Sequence, residues 1–302
     1  MLAIAAVGIR GGIQRDRSTA VFPCILLLVT AVLILIELRF GSPVRSALGG
    51  TSEAFRMNRG AVALVLFLPL ALYFLPATTP ARGFSILTVG VAGIAVFLSE
   101  SESAKLSFGV LSIAYLLARV LGRYAIAVFG FGVLATLLLT PRLALNLNNL
   151  IPDFLSENIS YGTLGIRADM WGEFSKLIWF KPILGHGMEA SHVARDTYGH
   201  LLANDRVLGF GHAHNFAVQV WYELGLVGVL LFSALIILFF RSLKSLPVRA
   251  VPPVLATVSA IWTVSLVSHG AWQAWWWSLM GIIALLWLMV LHSEREAVPV
   301  QS

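Results

Sequence analysis

Residues 215–240 read N-F-A-V-Q-V-W-Y-E-L-G-L-V-G-V-L-L-F-S-A-L-I-I-L-F-F, with Glu223 the lone charge. As a helix this stretch would run about 39 Å at 1.5 Å per residue, more than the roughly 30 Å hydrocarbon core of a bilayer. Apart from Asn215, Gln219 and Glu223 near its start it is apolar on every side, which suits a helix solvated by lipid rather than a helix lying on a water-facing core. Seven further stretches read in the same way or nearly so: 18–38, 60–76, 83–99, 104–121, 123–140, 253–270 and 272–292. The stretches 60–76 and 83–99 are short and must lengthen into their flanks or thin the bilayer locally. Gly60, Pro69, Pro76 and Gly83 punctuate this part of the chain and blur its boundaries.

Composition agrees with these runs. The chain is 58% apolar and 12% charged, with a mean hydropathy of +0.84, whereas soluble domains carry about 25% charged residues. The fold expected is all-α, a polytopic transmembrane helix bundle of about eight spans. In a soluble protein a net charge of +6 and a pI near 9.8 would suggest nucleic acid. In a membrane protein they reflect an excess of Lys and Arg on the cytoplasmic side, so no nucleic-acid partner is expected. The single cysteine, Cys24, excludes an internal disulfide framework.

The short connections set the orientation. Residues 241–252 carry Arg241, Lys244 and Arg249 with no acid, which places them in the cytoplasm. Arg119 and Arg123 agree, as do Arg10, Arg15 and Arg17, while Glu100 and Glu102 fall outside. The loop 39–59, with Arg39, Arg45, Arg56 and Arg59, runs against the rule. On this orientation the long segment 141–213 is periplasmic. The chain then divides into N-terminal membrane helices (1–140), a helical periplasmic loop (141–213), and three C-terminal membrane helices with a short tail (214–302). Residues 1–9, M-L-A-I-A-A-V-G-I, are half a span running into basic residues. They read as the end of an outside-to-inside helix, so an upstream start or a shortened copy is expected.

The loop differs in composition from everything around it. Four of the seven histidines lie in it and a fifth, His214, directly follows, and it also holds Asp153, Glu157, Arg167, Asp169, Glu173, Lys176 and Lys181. Loops of this length are uncommon without a purpose, and function concentrates on them. Residues 160–180 predict an amphipathic helix, with Arg167 and Trp171 at i and i+4 and Phe174 and Ile178 extending the apolar stripe. Trp171 and Trp179 suit the membrane–water interface. Pro182 and the glycines of P-I-L-G-H-G (182–187) end the helix in a turn. Arg167 offers a planar fork of donors suited to phosphate; the plain alternative is contact with lipid headgroups.

His212 and His214 come at or just before the start of the 215–240 helix, and Asn215, Gln219 and Glu223 recur every four residues on one of its faces. A helix N-terminus disfavours imidazolium, which keeps such a histidine neutral and able to accept a proton. The same helix end attracts phosphate. Glu223 lies about 13 Å along the helix from His214, a depth at which an acid needs a partner. The His-x-His pair could ligate a metal, but no third and fourth ligands follow at regular spacing, and no metal is expected. Plain capping of the helix is the other alternative. On the periplasmic face, where nucleotide sugars are absent, a glycan donor is carried on a lipid diphosphate. Its transfer needs a cation on the leaving group and a base for the acceptor hydroxyl. Arg167 and His214 suit those tasks, and no Asp-x-Asp motif points instead to a magnesium-dependent nucleotide-sugar enzyme.

The order Ser160, Arg167, Trp171, then Pro182, Gly185 and Gly187, then His214, Asn215, Gln219, Glu223, Gly225 and Gly228 resembles the O-antigen ligase and polymerase superfamily. The tail S-H-G-A-W-Q-A-W-W-W (268–277) resembles a bacterial branch of it. So does S-E-S-A-K (101–105), where many members have arginine in place of Lys105. The resemblance implies a twelve-helix transferase of the bacterial inner membrane that works without nucleotide, metal or other cofactor. It would move glycan from undecaprenyl diphosphate to lipid A–core or another lipid-linked glycan. Arg167 would then hold diphosphate and His214 activate the acceptor. Lys105, His212, Asn215, Gln219, Glu223 and Trp171 are candidates for binding diphosphate or glycan. At Lys105 a point charge stands where a two-pronged donor is usual. Trp272, Trp275, Trp276 and Trp277 form either an interfacial belt or a wall against glycan. Ligase and repeat-unit polymerase share these motifs. A lipid-linked oligosaccharide flippase is the rival from another class, but it would show inverted repeats and discontinuous helices, and the sequence has no internal repeat. A catalytically dead remnant is the third reading.

Overall fold

The computed structural model describes residues 17–76, 78–147, 164–202 and 204–296. The half-span at 1–9, Arg10, Arg15, Asp153, Glu157 and the first residues of the amphipathic helix, Ser160 included, lie outside the described residues. Among those described the architecture is all-α, with no strand. Eight helical stretches are long and apolar enough to cross a membrane: Ala20–Arg39, Ala54–Phe74, Thr79–Leu98, Glu102–Leu121, Tyr124–Ala144, Phe216–Ser245, Val248–Val267 and Ala274–His292. All eight expected spans are therefore present, and the two short ones lengthen on their N-terminal sides. This is a multi-pass membrane protein.

Two compact units divide the chain. The first takes residues 1–122, 246–261 and 275–302. It holds α1 (Arg17–Arg39), the short α2 (Pro43–Ala47), α3 (Asn58–Phe74), α4 (Thr79–Leu98) and α5 (Glu102–Leu121). Hydrophobicity cannot drive helix association within lipid, so close approach of small side chains does much of that work. Accordingly Ala92 and Ala95 of α4 and Ala104, Ala114 and Ala118 of α5 are buried, while Ile94, Phe97, Leu116 and Val120 face outward. Polar groups find backbone partners: Cys24 Sγ donates to Ala71 O, and Ser107 Oγ to Ala260 O at 3.3 Å. In the basic 39–59 loop, Arg45 Nε donates to Thr51 O, Arg56 pairs with Glu53, and Arg59 lies over the Trp275 ring.

The second unit takes residues 123–245 and 262–274. It contains α6 (Tyr124–Ala144), α7 (Leu164–Ile178), the single-turn α8 (Ala194–Tyr198) and α9 (Phe216–Ser242). The next helix, α10 (Val251–Val267), ends just before the 268–273 turn, and α11 (Ala274–Glu296) follows that turn. The apolar stripe of α7 is buried as its spacing predicts: Met170, Trp171, Phe174, Leu177 and Ile178 pack with Val218 and Tyr222 of α9 and with Leu208 and Ala213 of the loop. Trp171 is therefore a core residue rather than the interfacial one its sequence position suggests. Its ring is enclosed, and its indole Nε1 has no hydrogen-bond partner.

Candidate functional site

The site is built around a break in α9. At Gly225 the backbone leaves helical geometry (φ 60°, ψ −159°), freeing groups that a continuous helix would bond internally. The turn 182–187 takes them up. Leu226 N donates to Pro182 O at 2.8 Å and Val227 N to Ile183 O at 3.1 Å, while His186 N and Gly187 N donate back to Tyr222 O and Glu223 O at 2.9 Å each. Two glycines meet at this junction. A Cβ on Gly185 would lie 2.3 Å from Glu223 O, and one on Gly225 would lie 2.5 Å from Gly185 N. Both also have positive φ, which glycine adopts without strain. The P-x-x-G-x-G motif is thus more than a helix stop; it is the complement of the α9 break.

Glu223 sits at the centre of this junction with no exposed surface. Its carboxyl group accepts from Glu189 N at 2.9 Å, Ser191 N at 3.4 Å, Ser191 Oγ, Gln219 Nε2 at 2.9 Å and Trp272 Nε1. Gln219 passes the network on, since its Oε1 accepts from Ala271 N at 2.8 Å. Burial of an acid is tolerated when its lone pairs are filled in this way. One glutamate therefore ties three segments together: the turn at 189–191, α9, and the turn after α10. Asn215, also buried, caps α9, its Oδ1 accepting from Val218 N at 3.0 Å. Of the expected binding residues, Asn215, Gln219 and Glu223 spend their described hydrogen bonds inside the protein.

The histidines differ. His214 directly precedes the Asn215 cap and has a φ of 48°, a region rarely occupied by side chains other than glycine. Its Nδ1 lies 2.8 Å from Ser268 O. A carbonyl only accepts, so Nδ1 carries the proton, and Nε2 keeps its lone pair. The His212 ring lies against that of His214, tilted by 52° with 3.9 Å between ring centroids, and His212 Nδ1 accepts from His214 N at 3.3 Å. Gln273 Nε2, also an N–H donor, lies 3.4 Å from His212 Nε2, so the two contacts compete for the single lone pair of the neutral ring. Burial, then the neighbouring His214 and His192, push His212 down to about 4. Burial also lowers His214, opposed by its bond to Ser268 and assisted by the positive charge of Arg167. Both rings are neutral near pH 7, and His214 is the one presenting a lone pair.

Arg167 is carried on α7, half-buried, and close enough for its charge to act on His214. Asp169 on the same helix accepts from Asn204 Nδ2 at 3.3 Å. Lys105 belongs to the first unit, where it pairs with Glu102 at 2.8 Å in the first turn of α5. Among the described residues no group of three or more His, Cys, Asp or Glu is arranged to hold a metal ion. Sequence reasoning missed three contributors: Ser191, the Ser268 carbonyl and the Trp272 indole. Trp272 was readable as an aromatic near the loop, but not as a donor to Glu223. In the same cluster Trp276 is buried, Trp272 and Trp275 are partly buried, and only Trp277 is well exposed.

Comparison with known proteins adds a family to this geometry. A profile described as O-Antigen ligase matches residues 87–233, a stretch containing Lys105, Arg167, the histidine pair and Glu223. A Rickettsia felis protein named "Putative polysaccharide ligase" is 24% identical over 254 residues, covering 78% of this chain and 58% of its own. A protein of the same name from Rickettsia bellii is 24% identical over 207 residues, covering 64% and 47%. The chain spans about half the length of the curated relatives it matches. Together these matches support the O-antigen ligase superfamily, which the loop motifs resemble.

Proposed function

We propose that this membrane protein is an O-antigen ligase-like glycosyltransferase acting on the periplasmic face of a bacterial inner membrane, with undecaprenyl-diphosphate-linked glycan as donor and lipid A–core or another glycan as acceptor. The observation that carries the reading is the hydrogen bond from His214 Nδ1 to Ser268 O, which leaves Nε2 as a neutral acceptor beside a guanidinium. In the reaction His214 Nε2 removes the proton of an acceptor hydroxyl while that oxygen attacks the anomeric carbon. The bond from that carbon to the diphosphate oxygen breaks, its electron pair leaves with the diphosphate, and the anomeric configuration inverts. Arg167 meets the charge that grows on the leaving group, the task for which a fixed cation is most effective. No metal has a part in this scheme. His212 supports His214, against which it packs and whose backbone N–H it meets, rather than acting on substrate.

The test is complementation. The chromosomal copy is deleted in the source bacterium, and wild type, Arg167→Ala and His214→Ala are returned at matched membrane levels. Lipopolysaccharide gels are read beside an assay of undecaprenyl-linked glycan. Loss of glycan from lipid A–core with accumulation of long lipid-linked polymer is the expected result. Core carrying a single repeat would instead identify a repeat-unit polymerase of the same superfamily. Full restoration by both variants would refute the site.

A further inference from the structure

We propose that the turn 182–188 enters the apolar layer of the loop-side membrane leaflet, so that phospholipid acyl chains cover Ile183, Leu184 and Met188. This inference rests on the membrane-spanning reading alone and is independent of the reaction. The first observation is exposure. Ile183, Leu184 and Met188 are 63%, 74% and 64% exposed, and Trp179 and Phe180 just before them are exposed as well. Val193, Leu201 and Phe210 are exposed singly elsewhere in the loop, but five large apolar side chains within ten residues form a contiguous cluster that calls for a covering partner.

The second observation fixes the depth. Backbone hydrogen bonds pin this turn to Tyr222–Val227 of α9, within the spanning stretch Phe216–Ser245. That stretch, at 30 residues, is about 45 Å long and exceeds a hydrocarbon core of about 30 Å. No charged residue occurs between Glu223 and Arg241. With Arg241 at the far boundary, roughly 20 residues of hydrocarbon reach back to Trp221. The turn then lies just inside the near boundary, by about 6 Å measured along α9 from Trp221 to Gly225.

The third observation is that the backbone suits this depth. Irregular chain is tolerated in hydrocarbon only where its polar groups are satisfied internally. Here Pro182 O, Ile183 O, Gly185 N, His186 N and Gly187 N are bonded within the protein, and the remaining backbone groups of the turn must meet the water and headgroups of the nearby boundary. The side chains just above the turn suit the headgroup layer. Lys181 is exposed, and Lys176 is exposed beside its Glu173 partner, so both cations can reach phosphate, while Trp179 is the residue most at home at that level. Acyl chains below and phosphates above are together what a phospholipid leaflet offers, and no protein partner is required.

Depth can be read directly. In the full chain carrying Cys24→Ala, single cysteines replace Leu184, Met188, Asp196 and Arg206, and each is labelled with a nitroxide. The protein is placed in vesicles of phosphatidylethanolamine and phosphatidylglycerol, and collision rates with dissolved oxygen and with a water-soluble nickel chelate are compared. Labels at 184 and 188 should favour oxygen, as a lipid-facing label at Leu231 does, while those at 196 and 206 favour nickel. Nickel preference at 184 and 188 would overturn the proposal, because the turn would then be in water. So would an immobilised label shielded from both reagents, which would mean that protein covers the turn. Since no catalysis is measured, failure here leaves the glycosyltransferase reading intact, and failure of that reading leaves this one intact.

Discussion

Glu223 and His214 lie nine residues apart at the same end of one helix, and the same chain segment supplies both, yet the protein treats them in opposite ways. Every acceptor position around Glu223 is filled by donors from three segments. His214 has one nitrogen held by Ser268 and the other left with its lone pair, on backbone with positive φ. A polar group with its bonds complete stabilises the fold and has nothing left for a substrate. A group with one bond withheld, and strain in its backbone, is of the kind found at functional sites. The pattern of polar residues in the sequence does not distinguish the two cases; the number of hydrogen bonds does.

The largest expected effect sharpens this contrast. His214→Ala should reduce glycan transfer by about 10²–10⁴-fold, the usual share of a positioned base, with little change in membrane level or thermal unfolding in detergent. Glu223→Ala should do the reverse. It strands several buried donors at about 1–3 kcal/mol each, so the unfolding temperature and membrane level fall first, and activity is lost only in proportion to folded protein. Glu223→Gln, which keeps one acceptor oxygen, should lie between. If Glu223→Gln folds like wild type but transfers no glycan, Glu223 acts on substrate and the comparison is broken.

The acidity of the histidines gives the next effect in size. Free imidazole titrates near 6.5. His214 is lowered from there by burial and by Arg167, so it stays a neutral base at pH 7 and takes up a proton only below the ordinary range. Transfer rates should therefore stay flat from pH 7 to about 6.5 and decline only in more acid buffer. His212, pushed down to about 4, works in the same direction on stability. Below the unfolded-state value the unfolded chain binds protons that the folded chain refuses, so stability falls with pH. Arg167→Gln should move the acid limb of residual activity upward, towards 6.5. A limb that stayed in place would mean that the guanidinium does not act on His214.

The two regions were not equally legible in the sequence. The eight spans are local properties of composition and follow from length and apolarity alone. The polar loop and its His-x-His pair were legible for the same reason. The latch was not. It depends on Gly185 meeting Gly225 across 40 residues, and on Trp272 reaching Glu223 from a turn 49 residues further on. Periodicity within a single helix carries no information about such pairings. Trp171 shows the same limit from the other side. Its i, i+4 relation to Arg167 is correct, but burial depends on what lies opposite, and the opposing Tyr222 and Leu208 belong to other elements.

Lys105 gives the smallest expected effect and a separate check on the resemblance. The resemblance implies an arginine at this position in many members, and in this protein Lys105 pairs with Glu102 at 2.8 Å across one turn of α5. Partly exposed pairs of this kind contribute only about 0.2–1 kcal/mol, so Lys105→Ala should scarcely move the unfolding temperature. If its task is diphosphate, replacing a point charge by a fork should help rather than harm. Lys105→Arg would then lower the donor concentration needed for half-maximal transfer by a few-fold, while Lys105→Ala raises it. Should both variants match wild type at limiting donor, Lys105 belongs with Glu223 among the residues the sequence marks but the reaction does not use, and the diphosphate is left to Arg167.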